Sequence, residues 1–431
     1  MSLDPALERQ LCSYVEEHQD RLVEIIRDLV RIPSENTPPT GSEEVCQQYA
    51  AEILRAQGLN PTLYELNEVS GLREHPLFWP GRDYQRRPNM GARQKGRGGG
   101  RSLVLSGHID TVPRGTQPWT RDPFGGEVDG NRLYGRGSND MKGGVGTNLF
   151  IAEALHELGI ELLGDLVLET VVDEEFGGVN GTLAGRLKGF NADAAVISEP
   201  SFLRVCPAQR GGRLAHVTLS AAGGVLTEGK FPVGVIDQLR SLLDNLKIFA
   251  EMRRTRAIVH ELYADSADPV PVSITKVFTA PWGTKEPVTI PETCLIEIYW
   301  QLMPGEQQED IEREFFAWLD SVVAAAPALF PARPRVDFPV RWLPGSFIVK
   351  SEPLVRELAD CATKVLGKEP PIQGIEGPCD MYVFHQAFGI PAVLWGARGG
   401  NTHAADEYLE IDSVVQAAKT LLVFVCQWCG V

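Results

Sequence analysis

The sequence predicts an α/β protein: a catalytic domain with a largely parallel sheet and flanking helices, interrupted by an inserted α+β domain. Three short apolar segments are typical of buried parallel strands, and a helical stretch at 144–158 separates the first two. From about Gly211 to Trp342 the pattern changes to longer strands and helices, which favours a separate α+β domain. The three apolar segments are 103–105, 166–168 and 194–197. The expected spans are 1–211 and 343–431 for the catalytic domain and 212–342 for the insertion.

The other elements follow from periodicity and turn residues. Apolar residues at helical spacing predict a helix through 5–30, which Ile32-Pro33 ends, and a second helix that ends at Gly58. The segment from Arg73 to Arg101 is rich in Arg, Pro and Gly, and we expect a surface loop that joins two strands. The helix that ends at Gly58 is expected over 43–57, and further helices are expected at 232–252, 306–325 and 354–366. Further strands are expected at 214–220, 271–279, 293–302, 334–341 and 391–395.

Composition and charge narrow the class of function. The 431 residues are 43% hydrophobic and 23% charged, as in ordinary globular proteins. The formal charge of −16 argues against nucleic acid or membrane as a partner, because both call for basic surfaces. The N-terminus lacks the basic and apolar regions of a secretory leader, and the eight scattered cysteines suit reduced thiols. We therefore expect a cytoplasmic protein whose partner is a small-molecule substrate.

Histidine and acidic residues are concentrated in five segments at the ends of predicted strands. In open α/β sheets, ligands bind beyond the carboxyl ends of the strands. Taken singly, each segment has a plain alternative, such as a surface histidine, a phosphate-binding loop or a solvated acidic turn. Together they match a site for two divalent metal ions with nitrogen and oxygen ligands; zinc fits best, and Mn, Co or Fe are alternatives. The segments centre on His108 and Asp110, on Asp140, on Asp173, Glu174 and Glu175, on Glu199, and on His403.

These segments, in this order, resemble the co-catalytic metallohydrolase family of aminoacylase, acetylornithine deacetylase, succinyl-diaminopimelate desuccinylase and glutamate carboxypeptidases. The motifs G-H-x-D-x-V-P, G-R-G-x-x-D-M-K-G and D-E-E-x-G-G are present, as are a strand ending in E-P and a late His followed by an acid. The resemblance covers nearly the whole chain. It implies hydrolysis of a C–N bond in a small carboxylate-bearing substrate, and a homodimer formed through an inserted lid and dimerisation domain.

The resemblance also implies two sets of metal ligands that share Asp140 as a bridge. Glu174 would be the general base that takes a proton from the attacking water and then returns it to the leaving amine. Asp110 would orient His108. Glu407 would orient the late histidine, His403. The two sets are His108, Asp140 and Glu199, and Asp140, Glu175 and His403.

The positions that bind substrate in the family differ in this chain. The family's G-x-x-A-H supplies an oxyanion-binding His, whereas the matching stretch 220–225 has none, and His216 is expected to be a surface residue. Three further positions, usually Asn, Arg and Arg, are Val288, Gln301 and Tyr382. Losing one oxyanion donor costs about 10²–10³ in rate, so other groups must compensate or the reaction must differ. The candidates for substrate contact are Arg210, Arg213 and Arg398, with Tyr382, Trp282 or Trp300 for a flat ring.

Three functions therefore stay open from the sequence. The first is a deacylase that hydrolyses an N-acyl amino acid-like amide, which the resemblance favours. The second is an aminohydrolase that releases ammonia from an activated amino-aromatic acid, because charge would then develop on a ring and not on a carbonyl oxygen. The third is a non-catalytic binding protein on the same scaffold, although no metal ligand or base is lost.

Overall fold

The computed structural model describes residues 3–222, 224–225, 233–279 and 289–431, and its chain divides into two compact units. The first unit consists of Met1–Ala208, Phe347–Ile375 and Cys379–Val431. The second consists of Gln209–Ser346 together with Glu376–Pro378. The second unit is thus an insertion in the sequence of the first.

Helices and strands alternate along the first unit, and both kinds of element also occur in the second unit. The α-helices of the described residues are α1 (Pro5–Glu17), α2 (Gln19–Arg31), α3 (Glu44–Ala56), α4 (Gly143–Glu157), α5 (Asn180–Lys188), α6 (Val235–Arg256), α7 (Gln308–Ala325), α8 (Pro353–Leu366) and α9 (Ile411–Cys429). The strands of the two main sheets are β1 (Thr62–Tyr64), β2 (Asn89–Gln94), β3 (Leu103–His108), β4 (Leu166–Val171), β5 (Ala194–Ile197), β6 (Gly211–Ser220), β7 (Val272–Phe278), β8 (Thr293–Leu302), β9 (Arg335–Asp337) and β10 (Ala392–Leu394). Shorter strands are Asn36–Thr37, Thr40–Gly41, Glu127–Asp129, Arg132–Tyr134, Ala208–Gln209, Gly224–Val225, Thr289–Ile290, Ser346–Phe347, Gly399–Gly400 and Tyr408–Glu410.

The central sheet of the first unit has the strand order β10-β5-β3-β4-β2-β1. The first four strands are parallel, and β2 and β1 extend the sheet as an antiparallel pair. Every residue of β3 and β4 is buried, as expected for parallel strands whose two faces are covered. The predicted α/β fold with a largely parallel sheet is confirmed. Among the described residues, no helix combines the length and the apolar character needed to cross a membrane.

The N-terminal helix predicted over 5–30 is two helices. They are separated at His18, whose backbone N–H donates to the carbonyl oxygen of Tyr14 at 3.0 Å while its ring Nδ1 lies 2.8 Å from the same oxygen. Helix α1 packs against α9, whereas α2 packs against α4. The apolar spacing continues through His18 because α1 and α2 each bury one face. The two faces pack against different helices, α9 and α4.

The prediction of a surface loop over the whole of 73–101 is wrong, because the segment contains β2. Its first four residues, Asn89 to Ala92, are buried between β1 and β4. The polar side chain of Asn89 is accommodated by three hydrogen bonds: it donates to the Tyr64 hydroxyl and the Gly181 carbonyl, and accepts from the N–H of Val172. A strand with Asn, Gly and Arg in its sequence lacks the apolar alternation that identifies strands.

The second unit contains a four-stranded antiparallel sheet with the order β7-β8-β6-β9, and α6 packs against β6, β8 and α7. Its core is built around aromatic side chains. The rings of Trp300 and Phe315 are stacked with centroids 4.9 Å apart, and the rings of Phe249 and Trp318 lie beside them. Trp300 is therefore a core residue, which accounts for its position on a strand of alternating character.

Candidate metal centre

Strand β3 carries His108 as its last residue, at the carboxyl edge of the parallel strands. The ring Nδ1 of His108 lies 2.9 Å from the backbone carbonyl oxygen of Asp110. Since a carbonyl only accepts hydrogen bonds, Nδ1 is the donor of this pair, and Nε2 is the ring nitrogen that would be available to a metal ion. The Asp110 carboxylate is 3.7 Å from Nδ1, so the main chain of Asp110 orients His108 more closely than its side chain does.

Beyond β4, the chain makes a turn that presents two glutamates. Asp173 adopts a left-handed conformation with φ of 67°, which Asp tolerates better than most residues. The backbone N–H groups of Glu174 and Glu175 then donate to Oδ2 of Asp110 at 3.1 and 3.3 Å. Oε1 of Glu175 accepts the N–H of Val112 at 3.1 Å, which directs its other oxygen toward the metal-ligand cluster.

The loop that carries Asp140 is held by one buried carboxylate, that of Glu407. It accepts the backbone N–H groups of Gly137, Asn139 and Asp140, each at 3.0 Å. It also pairs with the guanidinium of Arg136 at 2.6 Å. The expected role of Glu407 in orienting the late histidine is therefore corrected: its hydrogen bonds hold the Asp140 loop, because three N–H groups of that loop converge on its two oxygens.

The strand ends and loops bring four side chains together around Asp140. Nε2 of His108 lies 3.0 Å from Oδ1 of Asp140 and 3.6 Å from Oε1 of Glu199. Nε2 of His403 lies 3.3 Å from Oδ2 of Asp140 and 2.9 Å from Oε2 of Glu175. In each of the two groups the possible ligand atoms lie within 4.8 Å of one another. Asp140 thus contributes one oxygen to each group.

The cluster has an excess of negative charge. Burial raises the pKa of Glu174 and that of Glu199 well above the usual value, and neighbouring carboxylates raise both further. Burial and the charge of Asp140 raise the pKa of Glu175 to about 6. Within the part of the chain that the structure describes, no Lys or Arg forms an ion pair with these three glutamates or with Asp140. Two divalent cations would supply the missing positive charge.

The donor set also fits such ions chemically. Each group offers one imidazole nitrogen and two carboxylates, of which one is shared, and neither contains a thiolate. Nitrogen and oxygen donors suit zinc and its first-row neighbours. The structure therefore brings together every metal ligand that the motifs predict, in the two predicted sets.

Comparison with known proteins places this site in a family. The family model described as Peptidase family M20/M25/M40 matches residues 104–427. The chain belongs to this family. The match includes every motif of the metal centre, and it confirms the resemblance that those motifs indicate.

Individual relatives match over the full length of the chain. The N-formyl-4-amino-5-aminomethyl-2-methylpyrimidine deformylase of Halalkalibacterium halodurans is 27% identical and covers 97% of each chain. The protein of the same name from Bacillus subtilis is 24% identical and covers 96% of each. Among solved structures, human carnosine dipeptidase 1 matches with a TM-score of 0.75 at 17% identity, over 99% of this chain and 100% of its own. As a member of the M20 family, the protein is a metal-dependent hydrolase of C–N bonds in small substrates.

The residues predicted to bind substrate in this M20 protein lie in both units. Arg210 belongs to the second unit, where its guanidinium donates to Oε1 of Gln301 at 2.5 Å and to the Ser266 hydroxyl at 2.6 Å. Arg398 pairs with Glu410 at 2.9 Å. Tyr382 is buried in the first unit. Substrate binding by Arg210, Arg398 and Tyr382 stays a prediction, and Trp282 lies outside the described residues.

The substrate-contact candidate Arg213 and the expected surface residue His216 both make contacts within the second unit. His216 lies on β6 and its Nε2 is 2.9 Å from Oε2 of Glu297 on the neighbouring strand β8, with about a quarter of its side chain exposed. Arg213 forms an ion pair with Glu312 and donates to the carbonyl of Val340 at 3.0 Å. These contacts stabilise the packing of the second unit.

The sequence analysis missed three polar residues around the turn that carries the glutamates. Asn36, Arg82 and Tyr84 all donate to the buried carboxylate of Asp173. Arg82 and Tyr84 come from the segment 73–101, for which the sequence predicts a surface loop. The aromatic residues in that Arg-rich segment were the available signal, because large aromatic side chains in a polar loop usually pack against something.

Proposed function

We propose that this M20 protein removes a small N-acyl group, a formyl group in the first instance, from an aminomethyl substituent on an aromatic heterocycle. The observation that carries the proposal is the length of the match. Two deformylases of a formylated aminomethylpyrimidine align with 97% and 96% of the chain, and therefore with both units. The activity that their names state is also a C–N bond hydrolysis of the type for which the metal centre is suited.

The changed residues support a substrate without a carboxylate. Where the family has Asn, Arg and Arg, this chain has Val288, Gln301 and Tyr382. An Arg that binds a carboxylate would have no charged partner if the substrate were a neutral ring. The binding of such a substrate would then remove water from the guanidinium without compensation, which is unfavourable. Replacing the Arg by a neutral side chain removes that cost. The carboxylate-bearing substrate that the resemblance implies is accordingly replaced, in our proposal, by a neutral aromatic one.

We assign two zinc ions to the site, with Mn or Co as alternatives. One set of ligands is His108, Asp140 and Glu199. The other is Asp140, Glu175 and His403, so that Asp140 bridges. When bound, such ions polarise an acyl carbonyl and make a water more acidic.

Glu174 performs the proton transfers in this proposal. Its backbone is held by Asp110 and it adjoins the proposed ligand Glu175, so its carboxylate lies beside the ligand cluster. It accepts a proton from water as the water oxygen attacks the formyl carbon, and delivers that proton to the amine nitrogen as the C–N bond breaks. The products are formate and the free aminomethyl compound, and Glu174 ends as the carboxylate that it was at the start.

We further propose that the protein is a cytoplasmic homodimer joined through the second unit. The second unit exposes large apolar side chains on α6, Ile236 and Ile248, and at the end of β7, Val277 and Phe278. All eight cysteines are free thiols, which supports a reducing compartment. Light scattering on the eluting protein would give the mass, and Ile248→Asp should shift it toward the monomer.

Product analysis tests the proposed reaction. Protein reconstituted with Zn, Mn or Co is incubated with formylated and acetylated aminomethylpyrimidine, N-acyl amino acids and amino-substituted aromatic acids. Formate with the free aminomethylpyrimidine is the expected result. An acyl acid with an amino acid, and no formate, would show a deacylase of carboxylate-bearing substrates. Ammonia with a hydroxylated ring would establish the aminohydrolase, and metal binding without turnover of any substrate would favour a binding protein.

A further inference from the structure

A segment before β2 reaches back onto the turn that carries the two glutamates. The backbone N–H of Trp79 donates to Oδ1 of Asn180 at 2.9 Å, and Nδ2 of Asn180 donates to the Trp79 carbonyl and to the Tyr84 hydroxyl, both at 2.7 Å. The guanidinium of Arg82 lies over the Trp79 ring, 4.2 Å from its centroid. Tyr84 is 2% exposed. The segment is therefore anchored, and its polar groups are fixed in direction.

Both anchored polar groups point at Asp173. The Tyr84 hydroxyl donates to Oδ2 of Asp173 at 2.6 Å, and Nε of Arg82 donates to Oδ1 at 3.1 Å. Asp173 is fully buried and is the residue whose φ of 67° turns the chain into Glu174. A left-handed conformation at a non-glycine residue is unfavourable and persists only where its surroundings hold it. The hydrogen bonds from Tyr84 and Arg82 hold Asp173 in this conformation.

The network continues to the other side of the same turn. Nδ2 of Asn36 lies 3.2 Å from Oδ1 of Asp173 and 2.9 Å from Oδ2 of Asp110. Asp110 in turn accepts the backbone N–H groups of Glu174 and Glu175. A continuous chain of hydrogen bonds thus runs from the anchored segment, through Asp173, Asn36 and Asp110, to the peptide groups of both glutamates.

We propose that Tyr84 and Arg82 are positioning residues, which act through Asp173 to fix the direction of Glu174 and Glu175. A contribution to the stability of the fold does not by itself explain why these polar groups are buried together. Burying a carboxylate with a guanidinium removes both charges from water at a large desolvation penalty, and an apolar turn of the same shape would avoid that penalty. Groups of this kind around a metal site set ligand orientation, and their loss typically costs 10- to 100-fold in metal affinity or activity.

Tyr84→Phe tests the proposal, because it removes one hydroxyl and leaves the ring. Tyr14→Phe is the matched control: the Tyr14 hydroxyl also donates to a carboxylate, Oε2 of Glu157 at 2.7 Å, and Tyr14 is similarly buried, on α1. The two variants lose the same kind of bond, in the same unit. Their zinc affinities are measured by competition with a chelator, and their kcat and KM with the substrate that the product analysis identifies.

We expect Tyr84→Phe to lower the affinity for the more weakly held zinc, or kcat, by about 10-fold, with KM within about twofold of the wild type. We expect Tyr14→Phe to change neither quantity by more than about twofold. Equal zinc affinities and equal kcat values in the two variants would overturn the proposal. The kinetic part rests on the proposed function of Glu174; if the wild type releases no formate, that function fails while the zinc titration still decides the positioning role.

A double-mutant cycle tests the route through Asp173. If Tyr84 acts through that carboxylate, Asp173→Asn lowers zinc affinity by itself, and adding Tyr84→Phe lowers it by less than about twofold more. Full additivity of the two effects would overturn the route. The Arg82→Lys variant keeps the charge near Asp173, and we expect it to retain more zinc affinity than Arg82→Gln; equal losses in these two would contradict the role of Arg82.

Discussion

A cluster of acidic and histidine side chains in the first unit and a buried ion pair in the second unit are balanced in charge in opposite ways. In the first unit, Asp140, Glu175 and Glu199 converge with two histidines and have no Lys or Arg as a partner among the described residues. In the second, buried charges are matched: Arg253 is 1% exposed and binds both oxygens of Glu306 at 2.7 and 2.8 Å.

This difference separates two uses of a charged residue. Matched pairs such as Arg253 with Glu306 neutralise each other, so they need no ligand and serve the packing of their unit. An unmatched cluster is unfavourable until something cationic binds it. The imbalance of charge, more than the number of charged residues, distinguishes the functional site from the structural ion pairs.

Removal of metal is expected to have the largest effect. A strong chelator should abolish turnover, and zinc should restore it, because the carboxylates then regain their counter-charge. Glu199→Ala should reduce the bound metal from two ions to about one per chain, whereas Asp140→Ala should affect both sites. Metal analysis after dialysis gives these numbers, and equal stoichiometry in the two variants would contradict a bridging Asp140.

Substitution of the proposed base comes next. Glu174→Gln should lower kcat by about 10³ while two metal ions stay bound, because general base catalysis is typically worth 10²–10⁴ and Glu174 lies outside both candidate ligand groups. Glu161→Gln is the control, since that side chain is 71% exposed in an ion pair with Arg97. If the Glu174→Gln variant turned over substrate at the rate of the control, the role of Glu174 as the general base would be contradicted.

A buried pair of the second unit should affect stability and leave chemistry unchanged. Arg253→Met removes the cation that binds Glu306 and Glu314, and we expect a loss of about 3–5 kcal/mol in the free energy of unfolding. The exposed pair of Arg313 with Asp310 provides the comparison, and Arg313→Ala should cost less than about 1 kcal/mol. Urea unfolding followed by tryptophan fluorescence measures both, and similar midpoints would contradict the argument from burial.

The smallest expected effect is a pH dependence in the second unit. Burial raises the pKa of Glu297, but hydrogen bonds from Lys276, His216 and Thr275 outweigh it and lower the pKa to about 2. A lowered pKa stabilises the fold above the ordinary value of 4.5, and this contribution is lost as the pH falls toward 2. Because Lys276 is 74% exposed, the contribution is only about 1 kcal/mol.

Glu297→Gln isolates this contribution. It should lower the free energy of unfolding by about 1 kcal/mol at pH 6, where Glu297 is charged and paired, and by much less near pH 2. Unfolding curves at the two pH values give the comparison. A loss that is equal at both pH values would mean that packing, and not the charge of Glu297, is responsible.

Much of the metal centre is predictable from the sequence because its residues lie in short motifs at strand ends. His108, Asp140 and Glu199 each occur in a local pattern of glycine, proline and apolar residues that is readable without knowing any neighbour. The parallel sheet then brings these strand ends together, since parallel strands end at the same edge.

The partners of these residues were not predictable in the same way. Glu407 was recognised as an acid but assigned to the wrong neighbour, because its position relative to the N–H groups of Asn139 and Asp140 depends on how a distant loop returns. Likewise, β2 is hidden in an Arg- and Gly-rich segment, because its buried Asn89 is satisfied by distant partners, Tyr64, Val172 and Gly181, which the local sequence does not reveal.

The sequence by itself determined the fold class, the family motifs and the candidate metal ligands, because apolar periodicity and motif spacing are local properties of the chain. Only the tertiary structure decided which oxygen of Asp140 belongs to which group, and that Tyr84 and Arg82 hold the turn before Glu174. The contacts of Arg82 and Tyr84 with Asp173 join residues about 90 positions apart. Long-range neighbours depend on the packing of the whole unit, and no short stretch of sequence encodes them.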